Sequence, residues 1–334
     1  MTPASSALSR RRFLRISAAT AGCAALSSLA SADQPAAVRW RGMVFGNLAS
    51  IELRHADPAH IRRTMAQATA EIARLESVMS LYRPESALAE LNRRGHLSAA
   101  PADLVQILSQ ARAIGAISGG AFDVTVQPLW QVYASHFSRT GADPRGPLTD
   151  LVHRAAELVD YRDIEIEPAA IRLRRHGMAL TLNGIAQGYI TDRIVDLLKN
   201  EKFENALADL GEIRILGRAT QDRPWHAAIK SPFGADAAAS DIEIMGGALA
   251  TSGSYGFRFD AAGAFHHLFD PRTGGCPSRY ASVSVLAPDA ATADALATAC
   301  NLLAPDAIAA ALKASGADHA LLINRDGAQR WIAA

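Results

Sequence analysis

The chain has 334 residues, 49% hydrophobic and 20% charged, enough to bury the core of one large domain or of two interlocked ones. Its 34 basic residues balance 33 acidic ones, a formal net charge of +1, which gives no electrostatic footprint for nucleic acid or for an anionic membrane surface. A phosphate-bearing ligand would therefore need local basic groups or a metal ion.

Residues 1–32 read as a targeting segment. Ser9-Arg10-Arg11-Arg12-Phe13-Leu14-Arg15 has the form of a twin-arginine export signal, with an apolar run from Ile16 to Leu29 and a cleavage triplet Ala30-Ser31-Ala32. The mature protein is then expected over 33–334 as one domain, in the periplasm or otherwise outside the cytoplasmic membrane. A competing reading of Ala21-Gly22-Cys23 makes Cys23 a lipid-anchored N-terminus at the inner membrane. Beyond the signal only Cys276 and Cys300 remain, too few for a disulfide framework, though a single bridge between them stays open.

Trp40 to Leu53 reads as an opening strand bent at Gly46. Asp57 and Pro58 start a helix whose apolar stripe is Ile61, Met65, Ile72, Leu75 and Met79. Pro101 opens another, with Leu104, Leu108, Ala111 and Ile114 on one face and Gly119-Gly120 as its stop. A loop over 138–148, a short helix over 149–159 and a hairpin from Ile164 to Arg174 follow. Met178 to Leu182 is a buried strand candidate, and Asn183-Gly184 turns it into a helix through Tyr189, Ile194 and Leu198. That order aims free backbone amides at an anion, although ordinary strand-to-helix junctions look the same.

Strands then dominate, at 206–210, 213–216, 225–230, 242–245, 257–259 and 282–287. Helices at about 291–303 and 305–315 and a strand at 319–323 close the chain. Strands and helices mix without a regular βαβ repeat, so the fold class is α+β.

Two stretches carry candidate chemistry. Gly246 to Gly275 holds three glycine-rich points, the hydroxyls Thr251, Ser252 and Ser254, and the pair His266-His267 ahead of Asp270-Pro271. Turn glycines with hydroxyls capping turn amides are the commoner meaning; a phosphate-approaching backbone with a proton-transferring histidine is the other. On the last long helix Asp294 and Thr298 are four residues apart and share a face, offering hard oxygens of the kind Mg2+ takes alongside substrate phosphate.

Five ordered stretches fit one pattern: Glu76 with Ser80, Tyr82, Ser86 and Asn92; Gly120-Ala121-Phe122-Asp123 with Thr125 and Pro128; Asn183-Gly184-Ile185-Ala186-Gln187-Gly188-Tyr189; Thr251-Ser252-Gly253 with His267, Asp270, Pro271 and Gly274; and Asp294-Ala295-Leu296-Ala297-Thr298. Together they resemble the ApbE family, the FAD:protein FMN transferases, over roughly residues 40–325. The resemblance implies a single large domain of mixed sheets and helices with the flavin and metal site in a central cleft. It implies FAD as substrate, Mg2+ as cofactor, and transfer of the FMN moiety to a Thr or Ser hydroxyl of an acceptor flavoprotein, such as a subunit of a membrane redox complex, with release of AMP.

Carried over by position, the metal takes Asp294, Thr298 and the backbone oxygen of Gly184. The flavin nucleotide lies against Phe45, Tyr82, Ala121, Phe122, Asp123, Thr181, Gln187 and Leu268, and His267 is the base. Three positions depart from the family pattern: Phe45-Gly46-Asn47 stands for Met-Gly-Thr, Gln187 for Lys or Glu, and Leu210-Gly211-Glu212 for Gly-Gly-Asp. Two other functions share the same residues. Water as nucleophile would make a Mg2+-dependent FAD pyrophosphatase giving FMN and AMP, and the site without chemistry would be a periplasmic flavin-binding protein.

Overall fold

The computed structural model describes residues 37–220, 223–234, 238–277 and 279–334; the export signal, its cleavage triplet and Cys23 lie outside the described residues. What reads as one bent opening strand is a hairpin. β1 (Ala37–Val44) and β2 (Asn47–Arg54) pair antiparallel with Val44 opposite Asn47, so Phe45-Gly46 is the whole turn. Both residues have positive φ, 47° and 81°, the backbone that lets a two-residue turn follow the twist of its strands. Phenylalanine is an unusual residue there, and its amide is fastened by the Glu76 carboxylate at 2.6 Å.

α1 (Pro58–Met79) starts as expected, with the Asp57 carboxylate accepting from the Ala59 amide at 2.8 Å. After it come α2 (Ala87–Arg94), β3 (His96–Ser98), α3 (Ala102–Ile117), α4 (Gln127–Phe137) and α5 (Thr149–Ala156). The hairpin β4 (Ile164–Glu167) and β5 (Ala170–Leu173) takes β3 as a third strand in the order β3-β5-β4. α6 (Ala186–Asn200), β6 (Ala206–Asp209), β7 (Ile213–Leu216), β8 (Trp225–Lys230), β9 (Ala238–Ile244), β10 (Gly247–Ser252) and β11 (Ser282–Ala287) follow. α7 (Ala290–Cys300), α8 (Pro305–Ser315), β12 (His319–Ile323) and β13 (Gln329–Ala333) complete the chain.

The main sheet has eight antiparallel strands in the order β1-β2-β6-β7-β10-β11-β12-β13. Side chains alternate across it. Ala206, Ala208, Ala248, Ala250, Val283 and Leu322 face a core shared with α1, α6 and α7, while Leu207, Ile213, Leu249, Leu321 and Ile323 face the β8–β9 hairpin. The small residues on the helical face let α7 lie close on β10 and β11, and in α7 itself every residue except Thr292 and Thr298 is buried. A third cluster, rich in aromatic rings, joins α4 and α5 to Phe259, Phe265 and Phe269.

The architecture is α+β in a single fold, and no helix among the described residues is long and apolar enough to cross a membrane. Several details differ from the sequence reading. α2, β3, α4, β10 and β13 are additional elements, and the helix expected to reach 303 stops at Cys300. Met178 to Leu182 is extended and largely buried but joins no sheet. Its backbone partners are the Asn92 carboxamide, which spans Leu180 N and O at 2.7 and 2.8 Å, and the Val124 carbonyl, which takes the Thr181 amide at 2.8 Å. Phe257 to Phe259 forms only an isolated bridge, Arg258 opposite His266.

Candidate functional site

A cleft opens where the start of α6, the middle of α7, the end of β10 and the loops around 122 and 268 converge. Among its lining residues are Ala121, Phe122, Asp123, Thr181, Gly184, Gln187, His267, Leu268, Asp294 and Thr298, ten of the twelve site residues named from the sequence. The other two lie outside the lining. Tyr82 is 53% exposed, and its phenol hydrogen-bonds the side chain of Asn183, a lining residue. Phe45 sits at the hairpin tip and packs on the core.

Two close approaches bring the proposed metal ligands together. A Cβ on Gly184 would stand 3.0 Å from Thr298 Oγ1 and 3.3 Å from the Phe122 ring, so the turn ahead of α6 rests directly against α7. One turn further on, a Cβ on Gly188 would fall inside the Ala290 carbonyl group; the bare backbone instead lets Gly188 N–H donate to Asp294 Oδ2 at 3.3 Å. Asp294 is 6% exposed, and its pKa is pushed up to about 7, first by burial and further by the charge of Asp192, with the Gly188 amide opposing. Glu212 lies in the same lining. Burial, then the charges of Asp294 and Asp209, hold its pKa well above the usual carboxylate range, against the Thr251 amide that donates to it.

None of the lining residues is a lysine or an arginine, while three are carboxylic acids. Two desolvated carboxyls without a cationic side chain beside them fit a bound cation. Among the described residues no group of three or more His, Cys, Asp and Glu forms a metal cage. The donors expected from the sequence are one carboxylate, one hydroxyl and one backbone carbonyl, and all three residues line this cleft. All are hard oxygens, and their number suits Mg2+, which keeps part of its shell for water and phosphate, better than Ca2+ or a transition metal.

The two histidines are separated by the period of an extended chain. Phe259 N–H donates to Phe265 O at 2.9 Å and His267 N–H to Phe257 O at 3.2 Å, so successive side chains between them point to opposite sides. His266 is fully buried; its Nδ1 accepts from the Leu268 amide at 3.3 Å, and burial drives its pKa down to about 4. His267 faces the cleft, half-buried, with its pKa lowered by burial. Its Nδ1 lies 3.2 Å from the Phe257 carbonyl, which can only accept, so Nδ1 carries the proton and Nε2 holds the lone pair.

Other motif residues turn out to shape the walls. Asp123 Oδ1 accepts from Thr125 N and Oγ1 at 2.8 and 2.6 Å and Oδ2 from Tyr161 N at 2.9 Å, which folds the loop that presents Phe122. Burial raises the Asp123 pKa, and these bonds oppose the rise. Gln187 lies against Gly211, whose φ of 114° and lack of a side chain make room for it, and it donates to the Leu210 carbonyl at 3.3 Å. Ser86 caps α2 and donates to the Ser80 carbonyl at 2.5 Å. Trp130, Phe269 and Glu212 also line the cleft; only Glu212 was singled out from the sequence, as a departure from a motif. Trp130 and Phe269 carry no sequence signal beyond being apolar, because their place is set by tertiary packing. Cys276 and Cys300 are both free: the Cys276 thiol donates to the His266 carbonyl at 3.2 Å, and Cys300 is buried in α7.

The sequence profile of the ApbE family matches residues 45–322. A FAD:protein FMN transferase of Treponema pallidum (strain Nichols) is 30% identical over 306 residues, 85% of this chain and 83% of its own length. Another from Haemophilus influenzae is 28% identical over 308 residues, covering 87% and 88%. Among solved structures, the ApbE protein of Thermotoga maritima superposes with a TM-score of 0.79 at 26% identity, over 89% of this chain and 97% of that one. The flavin transferase ApbE of Vibrio cholerae gives 0.74 at 25% identity, over 90% and 98%.

Proposed function

The chain belongs to the ApbE family, and from that premise we propose that it is a FAD:protein FMN transferase that moves the FMN moiety of FAD onto a Thr or Ser hydroxyl of an acceptor flavoprotein and releases AMP. The observation that carries this reading is the cleft itself, whose lining includes Gly184, Asp294 and Thr298 together with a histidine whose Nε2 holds the lone pair.

In this reading the acceptor hydroxyl oxygen forms a bond to the FMN phosphorus, the pyrophosphate P–O bond to the AMP side breaks, and the hydroxyl proton passes to His267 Nε2. Nδ1 stays fixed on the Phe257 carbonyl, which holds the ring in one tautomer while Nε2 receives the proton. Mg2+ bound at Asp294, Thr298 and the Gly184 carbonyl would neutralise pyrophosphate charge, which the lining otherwise has no cationic side chain to offset. Phe122 and Leu268 supply apolar wall and Thr181 and Gln187 polar groups for the flavin nucleotide, with Tyr82 at the rim through Asn183.

The acceptor is proposed to be a subunit of a membrane redox complex, reached outside the cytoplasm. The acceptor class rests on the family resemblance, and the location on the Arg10-Arg11-Arg12 signal and cleavage triplet, which would give a mature chain over 33–334, or on an anchor at Cys23. Purified protein incubated with FAD, Mg2+ and a candidate acceptor tests the reading. A mass gain of one FMN on the acceptor, with AMP released in equal amount, is expected. Equal FMN and AMP in solution with an unmodified acceptor would replace transfer by FAD hydrolysis.

A further inference from the structure

Gly188 and Asp192 are four residues apart on α6 and share a face, and Gly184 lies four residues before Gly188 in the turn ahead of the helix. Ala290, Asp294 and Thr298 follow at the same interval on one face of α7. The two faces run antiparallel and meet in three rungs. At the cleft end, Gly184 abuts Thr298. In the middle, Gly188 N–H donates to Asp294. At the far end, the Asp192 carboxylate accepts from the Ala290 amide at 2.8 Å and the Ala291 amide at 2.9 Å.

This third rung is not the ordinary capping of α7. The helix has its own N-cap, Asp289, which accepts from Thr292 N and Oγ1 at 2.8 and 2.9 Å. Asp192 comes from another helix, takes the two amides that Asp289 leaves over, and is itself held by Arg214 Nη1 at 2.6 Å from β7. Both charged side chains are nearly buried, at 13% and 12% exposure. Three charge-assisted bonds on one carboxylate leave it little freedom, and the positive end of the α7 dipole adds to them.

We propose that Asp192, anchored by Arg214, is a positioning residue for the metal-binding end of this helix pair. It fixes how far α7 stands along α6, and thereby makes Asp294 and Thr298 meet the Gly184 carbonyl at one point. The glycine rungs permit close approach but resist sliding weakly, because they offer no side chain to interlock. The Asp192 rung ties two specific amides of α7 to one residue of α6, and a shift of one residue along either helix breaks both bonds. The proposal rests on the metal reading of Gly184, Asp294 and Thr298.

The test uses the purified chain, with Mn2+ binding followed by loss of the free-ion EPR signal and transfer rate measured against Mg2+ concentration. Asp192→Ala is expected to raise the Mn2+ dissociation constant by about tenfold or more, as loss of an outer partner of a metal site does. Asp192→Asn, which keeps one acceptor oxygen, and Arg214→Met, which keeps the carboxylate but frees it, should give smaller rises. In all three, excess Mg2+ should return the transfer rate to within about twofold of wild type, which a loss of folded protein would not allow. If Asp192→Ala does not fold, the two milder variants decide. Wild-type Mn2+ affinity in the folded variants, or a rate lowered equally at every Mg2+ concentration, overturns the positioning role. Asp294→Ala is measured alongside, and wild-type Mn2+ affinity in that variant would overturn the metal reading itself.

Discussion

Thr298 Oγ1 stands 3.0 Å from the point a Cβ on Gly184 would occupy, with the edge of the Phe122 ring 3.3 Å from the same point. Gly184 does not have the positive φ that would strain an alanine, so Gly184→Ala should fold. Its methyl would press on the hydroxyl and the ring together and move both. A rise of roughly tenfold in the Mg2+ concentration needed for half-maximal transfer is expected, comparable to the loss of a supporting contact at a metal site. Calorimetric titration with Mg2+ checks it, and unchanged affinity would remove this contact from the metal site.

Asp294 supplies the only carboxylate of the proposed ligand set. Asp294→Ala should therefore cost more than about 100-fold in transfer, since charge stabilisation by a bound metal amounts to several kcal/mol. EDTA on the wild type should reproduce the loss, and circular dichroism should show the fold retained. A variant that transfers FMN at near wild-type rate, with no response to EDTA, would end the metal assignment.

His267→Ala should slow transfer by roughly 10²- to 10⁴-fold, the range for a lost general base, while FAD still binds. The wild-type rate should fall in acid as Nε2 takes a proton, and because burial lowers the His267 pKa that limb should lie below 6.5, the ordinary value. At saturating Mg2+, which holds Asp294 ionised, the residual rate of the variant should lack the limb. His266→Ala is the contrast. This ring is fully buried and faces away from the cleft, so its removal should lower thermal stability and leave the acid limb in place.

The buried acids make stability of the metal-free protein fall with rising pH. Asp294 is raised to about 7 and Glu212 well above its ordinary 4.5, so in the folded state they keep protons that the unfolded chain has already released. Where the folded state binds more protons, raising pH favours unfolding. His266 and His267, whose lowered values work in the opposite sense, are still half protonated in the unfolded chain at pH 6.5 and drop out only above about 7.5. Between about pH 7.5 and 8.5 the melting temperature without metal should decline, and Mg2+ should reduce that decline. A metal-free melting temperature that is flat or rising over this window, read by calorimetry, would contradict the burial of these carboxyls.

Asn92→Leu removes the carboxamide that satisfies both backbone groups of Leu180 and leaves them without their partners in the core. A loss of about 2–3 kcal/mol in urea unfolding is expected, the cost of stranding buried polar groups. FAD affinity should weaken as well, because Thr181 and the Gly184 turn continue directly from this segment.

Much of the site was legible in the sequence. Asp294 and Thr298 share a face because four residues make about one helical turn, and that holds wherever the helix lies. The opposite facing of His266 and His267 follows equally from the period of extended chain. Asp57 and Pro58 marked a helix start through local capping chemistry, and the hydrophobic stripes marked the faces that became core.

What the sequence could not decide were relations between segments distant in the chain. Met178 to Leu182 has the composition of a strand, but its hydrogen bonds go to Asn92 and Val124, partners that no local pattern names. The motif residues Glu76, Ser86 and Asp123 hold turns and loops through bonds fixed only when the chain is folded. Gly188 and Gly211 were visible as glycines, yet the Ala290 backbone and the Gln187 side chain that forbid anything larger arrive through packing. Local propensity and periodicity act over a few residues, so they place side chains on faces. Which faces then meet, and at what register, is settled by burial and hydrogen bonding across the whole molecule, and the three rungs between α6 and α7 were of that kind.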